Sequence, residues 1–333
     1  MDNFWLKFKK PILALAPMAG ITDSAFRQIC RKHGADVVYS EMASVSALFF
    51  KPQKTLELVE FNKTERPYVV QLFGKHPEHF AKATRIISEK IKPDGIDINF
   101  GCPAKKVFGH GSGCALMPQK KLAREIISAV CENTKLPVSL KIRAGVGEVD
   151  AVEFIENVKD LPFSTVMIHC RTFEQKFSGP ADFSVAEKIK KMIPDRIILG
   201  NGGITEPQQA KEILEKYPLL DGLGIARGAL GRPWIFEEIK DLMSFPRKWE
   251  SSSDIPPLLP EERVGVRWEQ IKKIMLAHAK LLYKTKGQKG LLEIRKYLAW
   301  YVKGLPNASE LRQKLVQVGS VEEIEKILKG IGH

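Results

Sequence analysis

Residues 95–143 read GIDINFGCPAKKVFGHGSGCALMPQKKLAREIISAVCENTKLPVSLKIR, and this stretch decides the fold. It opens on a short apolar run, GIDINF (95–100), and closes on another, PVSLKI (137–142). Between them, Gln119 to Cys131 carries apolar residues at helical spacing. Two short buried-type strands joined through a helix form a parallel βα unit, because parallel strands need a crossover connection. The unit recurs along the chain. Further strands are predicted at ILALA (12–16), ADVVY (35–39), PYVVQLF (67–73), STVMIH (164–169), RIILG (196–200) and DGLGIA (221–226), and further helices at 78–90, 151–159 and 207–217. Eight such repeats within about 240 residues predict a (β/α)8 TIM barrel, an α/β fold, over residues 1–243. A doubly wound open sheet rarely uses eight units so evenly spaced.

Beyond the barrel, SFPRKWESSSDIPPLLPEER is rich in Ser and Pro and predicts a linker over 244–261. A small C-terminal helical domain is predicted over 262–333. There Ile271, Ile274, Met275, His278, Leu281 and Leu282 lie opposite Lys272, Lys273, Lys280 and Lys284. Breaks at Lys286-Gly287, Gly304 to Pro306 and Gly319 divide it into three or four helices. The 333 residues hold 52 Lys and Arg against 39 Asp and Glu, a formal net charge of +13. Arg263 to Lys314 alone has 13 Lys and Arg against Glu269, Glu293 and Glu310. So concentrated an excess points to an anionic partner. Five widely spaced cysteines without a CxxC pair exclude a disulfide framework and a Cys-based zinc site. With no cleavage pattern and no apolar run of ~18 residues, a cytoplasmic protein without a membrane partner is expected, acting as a monomer.

A TIM barrel builds its active site at the C-terminal ends of the strands. Here those ends read Ala16-Pro17-Met18-Ala19-Gly20, Gln71, Asn99-Phe100-Gly101-Cys102-Pro103, Lys141-Ile142-Arg143, His169-Cys170-Arg171, Asn201-Gly202-Gly203 and Ala226-Arg227-Gly228. The last two clusters, each followed by a helix, put backbone N–H groups and a guanidinium where barrels often bind phosphate. Lys141 sits inside an apolar strand, where an ammonium is costly unless paired or facing the mouth. It reads as a Schiff-base nucleophile, as an electrostatic partner of an anionic ring, or as a lysine snorkelling out at the strand end. Arg143, two residues on and on the same face, favours an anion or polar ring over a Schiff base. His169 and Arg171 repeat that spacing. Cys102, between Gly101 and Pro103, reads as a nucleophile or an acid. Cys30, Cys131 and Cys170 read as packing residues, and Cys114 as either packing or lining the mouth.

These strings closely resemble the tRNA-dihydrouridine synthases, in particular the B-type bacterial subgroup. The matching segments are APMAGITDSAFR, QLFG, GIDINFGCPAKKV, GCALM, LPVSLKIRAG, HCRTFEQKFSGPADF, ILGNGGI, IARGALGRPWIF and IRKYLAWYVKGLPNASELR, in the family's order over nearly the whole chain. The resemblance implies a flavin oxidoreductase that binds FMN, takes electrons from NADPH and reduces the 5,6 double bond of uridines in tRNA. It implies that Pro17, Met18, Ala19, Gln71, Lys141, His169, Asn201, Gly202, Gly203, Ala226 and Arg227 hold FMN, and that Cys102 donates the proton. It places Asn99, Arg143 and Arg171 at the uracil, and Arg295 and Lys296 of the helical domain at tRNA. Departures from the family pattern are Cys170 in HGRT, Gly203 in NGD, Phe177 in QxYxG and Tyr297 in RKH.

Overall fold

The computed structural model describes residues 3–244, 260–305 and 307–330, so most of the expected linker lies outside the described residues. Each of the eight predicted runs forms a strand: β1 (Ile12–Leu15), β2 (Val37–Ser44), β3 (Tyr68–Phe73), β4 (Gly95–Phe100), β5 (Val138–Val146), β7 (Thr165–Thr172), β8 (Ile197–Asn201) and β9 (Gly222–Ile225). A two-residue strand, β6 (Val149–Asp150), folds back antiparallel on the end of β5. The eight pair in parallel around the sheet, β9 with β1 and β4 with β5 included, so the barrel closes. The TIM-barrel class is thus established.

Three strands run further than their apolar cores. β2, β5 and β7 continue past Tyr39, Ile142 and His169 to Ser44, Val146 and Thr172. Sequence reading stops where polar residues begin, but at a barrel mouth polar side chains stay in the ladder because they face a cavity. The closed end is filled instead by apolar groups. Ile12, Ala14, Val37, Tyr39, Val69, Met167, Ile197 and Leu199 form a core cluster that includes Trp5 from the N-terminal turn Phe4–Lys7. Outside the barrel, the helix Lys120–Cys131 shows the usual division, burying Ala123, Ile126, Ile127 and Val130 on one stripe.

The chain forms two compact units, Met1–Gly228 and Ala229–His333. The helix Ile235–Ser244, expected with the barrel, belongs to the second, where Trp234 just before it stacks on Tyr301. The other helices of this unit are Pro260–Lys286, Gln288–Tyr301, Ala308–Leu315 and Val321–Lys329, divided at the predicted breaks. Glu269, Glu293 and Glu310 are each paired with a lysine, Lys272, Lys286 and Lys314. Among the described residues no helix is long and apolar enough to cross a membrane.

Candidate functional site

The C-terminal strand ends of the barrel enclose a cavity of about 320 Å³, a size suited to a small ligand or cofactor. Pro17, Met18 and Ala19 line it from beyond β1, Gln71 from β3, Asn99 and Cys102 from the end of β4, and Lys141 and Arg143 from β5. His169 on β7, Asn201, Gly202 and Gly203 at β8, and Ala226 and Arg227 after β9 complete the wall. Strand register brings these together. Asn99 stands beside Lys141, Arg143 beside His169, and His169 beside Asn201 across successive strand pairs. Among the described residues the lining holds Lys141, Arg143 and Arg227 and no carboxylate, so it favours an anionic ligand.

The loop after β1 is shaped from below. Arg27, fully buried in the helix Ser24–Lys32, donates to Glu65 at 2.6 Å and to the Thr22 carbonyl at 2.7 Å. Thr22 Oγ1 in turn accepts from the Met18 N–H at 3.1 Å, so a buried ion pair anchors the turn that presents Pro17 to Ala19.

Two amides on the wall have orientations dictated by the backbone. Asn201 Nδ2 donates to the Gly224 carbonyl at 2.6 Å, which turns its Oδ1 toward Lys141 Nζ, 3.4 Å away. Asn99 Oδ1 accepts from the N–H groups of Gly101 and Cys102 at 3.0 and 2.9 Å and so holds the Cys102 turn. Cys102 is half-buried. Cys114 is buried beneath it, outside the cavity lining, and its Sγ donates to the Cys102 carbonyl at 2.9 Å. The packing alternative therefore holds for Cys114. Cys30 and Cys170 are buried as well.

Burial shapes the charges. Desolvation lowers Lys141 to about 8, Asp97 opposing and Arg143 adding to the effect. Desolvation, with Lys141, Arg143 and Arg171 nearby, pushes His169 down to about 2, so its imidazole is neutral. A neutral imidazole can both donate and accept a hydrogen bond.

Three predicted arginines are committed to the protein's own backbone. Arg143 is buried and donates to the carbonyls of Gly101, Thr172 and Lys176, stitching the ends of β4 and β7 together at the cavity wall. Arg171 is not among the lining residues. Its Nε donates to the Gly179 carbonyl, and its Nη1 is buried without a hydrogen-bond partner among the described residues. Arg295 clamps the carbonyls of Gln317 and Val318 in the C-terminal unit, where Lys296 lies over the Tyr297 ring. Tyr297 is itself buried against His278 and belongs to the core of that unit.

The Gly203 turn packs against Arg171. Gly202 and Gly203 have φ of +125° and +76°, and a Cβ at Gly203 would lie 2.9 Å from Arg171 Nη2. The guanidinium takes the space a side chain would need. Gly203→Ala is expected to cost about 1–2 kcal/mol in urea unfolding, since it combines a left-handed alanine with displacement of Arg171. Full retention of stability would show that Arg171 moves freely.

Sequence reading overlooked two residues as parts of the site. Asp97 is a fully buried carboxylate in GIDINF, the same anomaly as Lys141 in PVSLKI, and was detectable on that ground. Phe177 lines the cavity yet is 53% exposed, with the guanidinia of Arg143 and Arg227 5.4 and 5.0 Å from its ring centre. In the sequence it stands out only as Phe in place of the family's Tyr, and its place at the cavity comes from the fold.

Comparison with known proteins agrees with the barrel and its motifs. A sequence profile described as "Dihydrouridine synthase (Dus)" matches residues 14–331. The chain is 32% identical over 324 residues to the "Probable tRNA-dihydrouridine synthase" of Aquifex aeolicus, covering 96% of each chain. It is 34% identical over 293 residues to "tRNA-dihydrouridine synthase B" of Shewanella oneidensis, covering 87% of this chain and 86% of that one. Among solved structures, histamine dehydrogenase from Rhizobium sp. 4-9 superimposes with a TM-score of 0.54 at 15% identity, over 70% of this chain and 46% of the other. That likeness bears on the fold alone. With the profile spanning almost the entire chain and relatives above 30% identity covering nearly all of it, the protein belongs to the tRNA-dihydrouridine synthase family, with B-type enzymes among its relatives.

Proposed function

We propose that the protein reduces the 5,6 double bond of uridines in tRNA to dihydrouridine, using FMN as cofactor and NADPH as electron donor. The observation that carries this reading is the placement of Cys102 at a cation-lined cavity that also presents Lys141, neutral His169 and a paired-glycine turn. The cavity fits the cofactor on its own chemistry. Successive glycines with positive φ present backbone N–H groups as an anion-binding concavity, and Gly202, Gly203 and Arg227 would take the FMN phosphate. Pro17, Met18, Ala19 and Ala226 would pack on the ring system, and Gln71, Lys141, His169 and Asn201 would meet its polar edge. When bound, FMN supplies the hydride that goes to carbon 6 of uracil.

The remaining work falls to the chain. Lys141 holds a positive charge on the cavity wall and favours negative charge on the ligand beside it. Cys102 Sγ donates a proton to carbon 5, which completes saturation of the double bond, and the sulfur recovers a proton from solvent. The role asks for a thiol that reaches the cavity, and Cys102 lines it. Asn99 and Arg143 would orient the uracil, and Phe177 offers an aromatic face to a base that has left its stack. Arg171, backing the glycine turn, supports the wall. The basic C-terminal unit, with Lys296 among its cations and Arg295 bracing it, would supply phosphate contacts that give affinity without reading sequence. Such an enzyme would act in the cytoplasm.

The test is reconstitution with FMN and NADPH, scoring dihydrouridine in transcript tRNA against free uridine. Conversion of tRNA with little or none of the free nucleoside is expected. Equal conversion of both would favour a pyrimidine reductase, and failure to bind FMN would reject the flavin reading.

A further inference from the structure

The Cys102 turn is the upper end of a hydrogen-bond relay that starts beneath the cavity. Asn99 Oδ1 accepts from Gly101 and Cys102, and Asn99 Nδ2 donates to Gln71 Oε1 at 2.9 Å. Gln71 Nε2 donates to Asp97 Oδ2 at 2.7 Å, and Ser139 Oγ donates to Asp97 Oδ1 at 2.6 Å. Asp97, Gln71 and Asn99 are all buried, while only Gln71 and Asn99 line the cavity. The relay's direction is not free. Backbone N–H groups only donate, so Asn99 must turn its oxygen to the Cys102 turn and its NH2 to Gln71. Gln71 must then turn its own NH2 downward, and a group that accepts there is required. Asp97 is that group, with Ser139 satisfying its other oxygen.

Each amide NH2 has a second hydrogen. For Asn99 the group near it is the weakly accepting Met42 Sδ at 3.7 Å. A wall built this way offers N–H donors, and it suits a ligand that presents carbonyl oxygens or unprotonated ring nitrogens. We propose that Asp97 is a positioning residue: by accepting from Gln71 it completes a relay whose direction the backbone N–H groups fix, and so stabilises both wall amides and the Cys102 turn. Naming the ligand as FMN and uracil rests on the function proposed above; the relay itself does not.

Asp97→Asn and Asp97→Leu separate direction from charge. Asparagine can accept from Gln71 through its oxygen and donate to the Ser139 hydroxyl through its NH2, so the direction survives; leucine leaves the Gln71 amide without an acceptor. Two readouts apply: FMN affinity by fluorescence quenching, and the rate of iodoacetamide alkylation of Cys102 in the apoprotein, followed by peptide mass spectrometry. Asp97→Asn should stay within about threefold of wild type in both, whereas Asp97→Leu should weaken FMN binding and speed Cys102 alkylation by about tenfold or more, as expected when a buried donor is orphaned. Should Asp97→Leu not fold, Gln71→Met cuts the relay one link higher, and its apoprotein alkylation should rise equally. Wild-type alkylation in the leucine or methionine variant, or Asp97→Asn as impaired as Asp97→Leu, would overturn the proposal. Absence of FMN binding in the wild-type protein would reject the flavin reading while leaving the alkylation comparison decisive for the relay.

Discussion

Cys102→Ala is expected to lower dihydrouridine formation by about 10²- to 10⁴-fold, the range a positioned general acid contributes. The loss should be confined to chemistry. The bonds that hold the turn run from the backbone N–H groups of Gly101 and Cys102 to Asn99, and alanine keeps both. The Cys102 carbonyl that accepts from Cys114 is likewise retained. FMN absorbance and tRNA affinity should therefore match wild type, while single-turnover conversion of tRNA, measured as dihydrouridine by mass spectrometry, falls. Unchanged conversion would remove Cys102 from the proton-donor role. Cys114 does not provide a ready substitute, because it is buried outside the cavity lining.

Lys141→Met should slow reduction of bound FMN by NADPH by about 10²-fold, the scale on which one preorganised electrostatic contact acts in a water-poor site. The wild-type protein carries its own pH signature for this role. Burial disfavours the ammonium, so Lys141 gives up its proton near 8 rather than at the usual 10.5. Below that pH it is charged and stabilises negative charge; above it the charge is lost. The reduction rate should thus fall as pH rises through about 8, and stopped-flow profiles of Lys141→Met should lack that alkaline limb. A limb that persists in the variant belongs to another group. Because His169 is held down to about 2, it contributes no protonation step in the same window.

The roles of the polar residues divide by what a one-dimensional pattern can hold. Lys141 and Asp97 are both legible as charges in apolar strands, since such a residue demands a partner or a cavity wherever the strand sits. Arg143, Arg171 and Arg295 looked like ligand-facing cations. Each also donates to carbonyls between 8 and 42 positions away along the chain, and only the folded path brings those carbonyls within reach. Trp5 is similar. Nothing in MDNFWLKFKK marks it as part of the barrel floor, because its neighbours Ile12, Tyr39 and Ile197 come from separate strands. The lengths of β2, β5 and β7 were underread for the converse reason: their polar ends lose the apolar signature at the point where they enter the mouth.

The sequence by itself determined the eight βα repeats, the residues at each strand end and the concentration of basic charge in the C-terminal segment. These are local properties, fixed by the periodicity of burial and by residue type. The tertiary structure decided which of those strand-end groups meet. Closure of β9 on β1 and β4 on β5 sets the register that puts Asn99 beside Lys141 and His169 beside Asn201. It also decided that Asp97 supports the wall from below, that Arg171 fills the space beside Gly203, and that the helix Ile235–Ser244 belongs with the C-terminal unit. Hydrogen-bond direction and excluded volume act between atoms that are close in space, and residues distant in the chain acquire them only when the barrel closes.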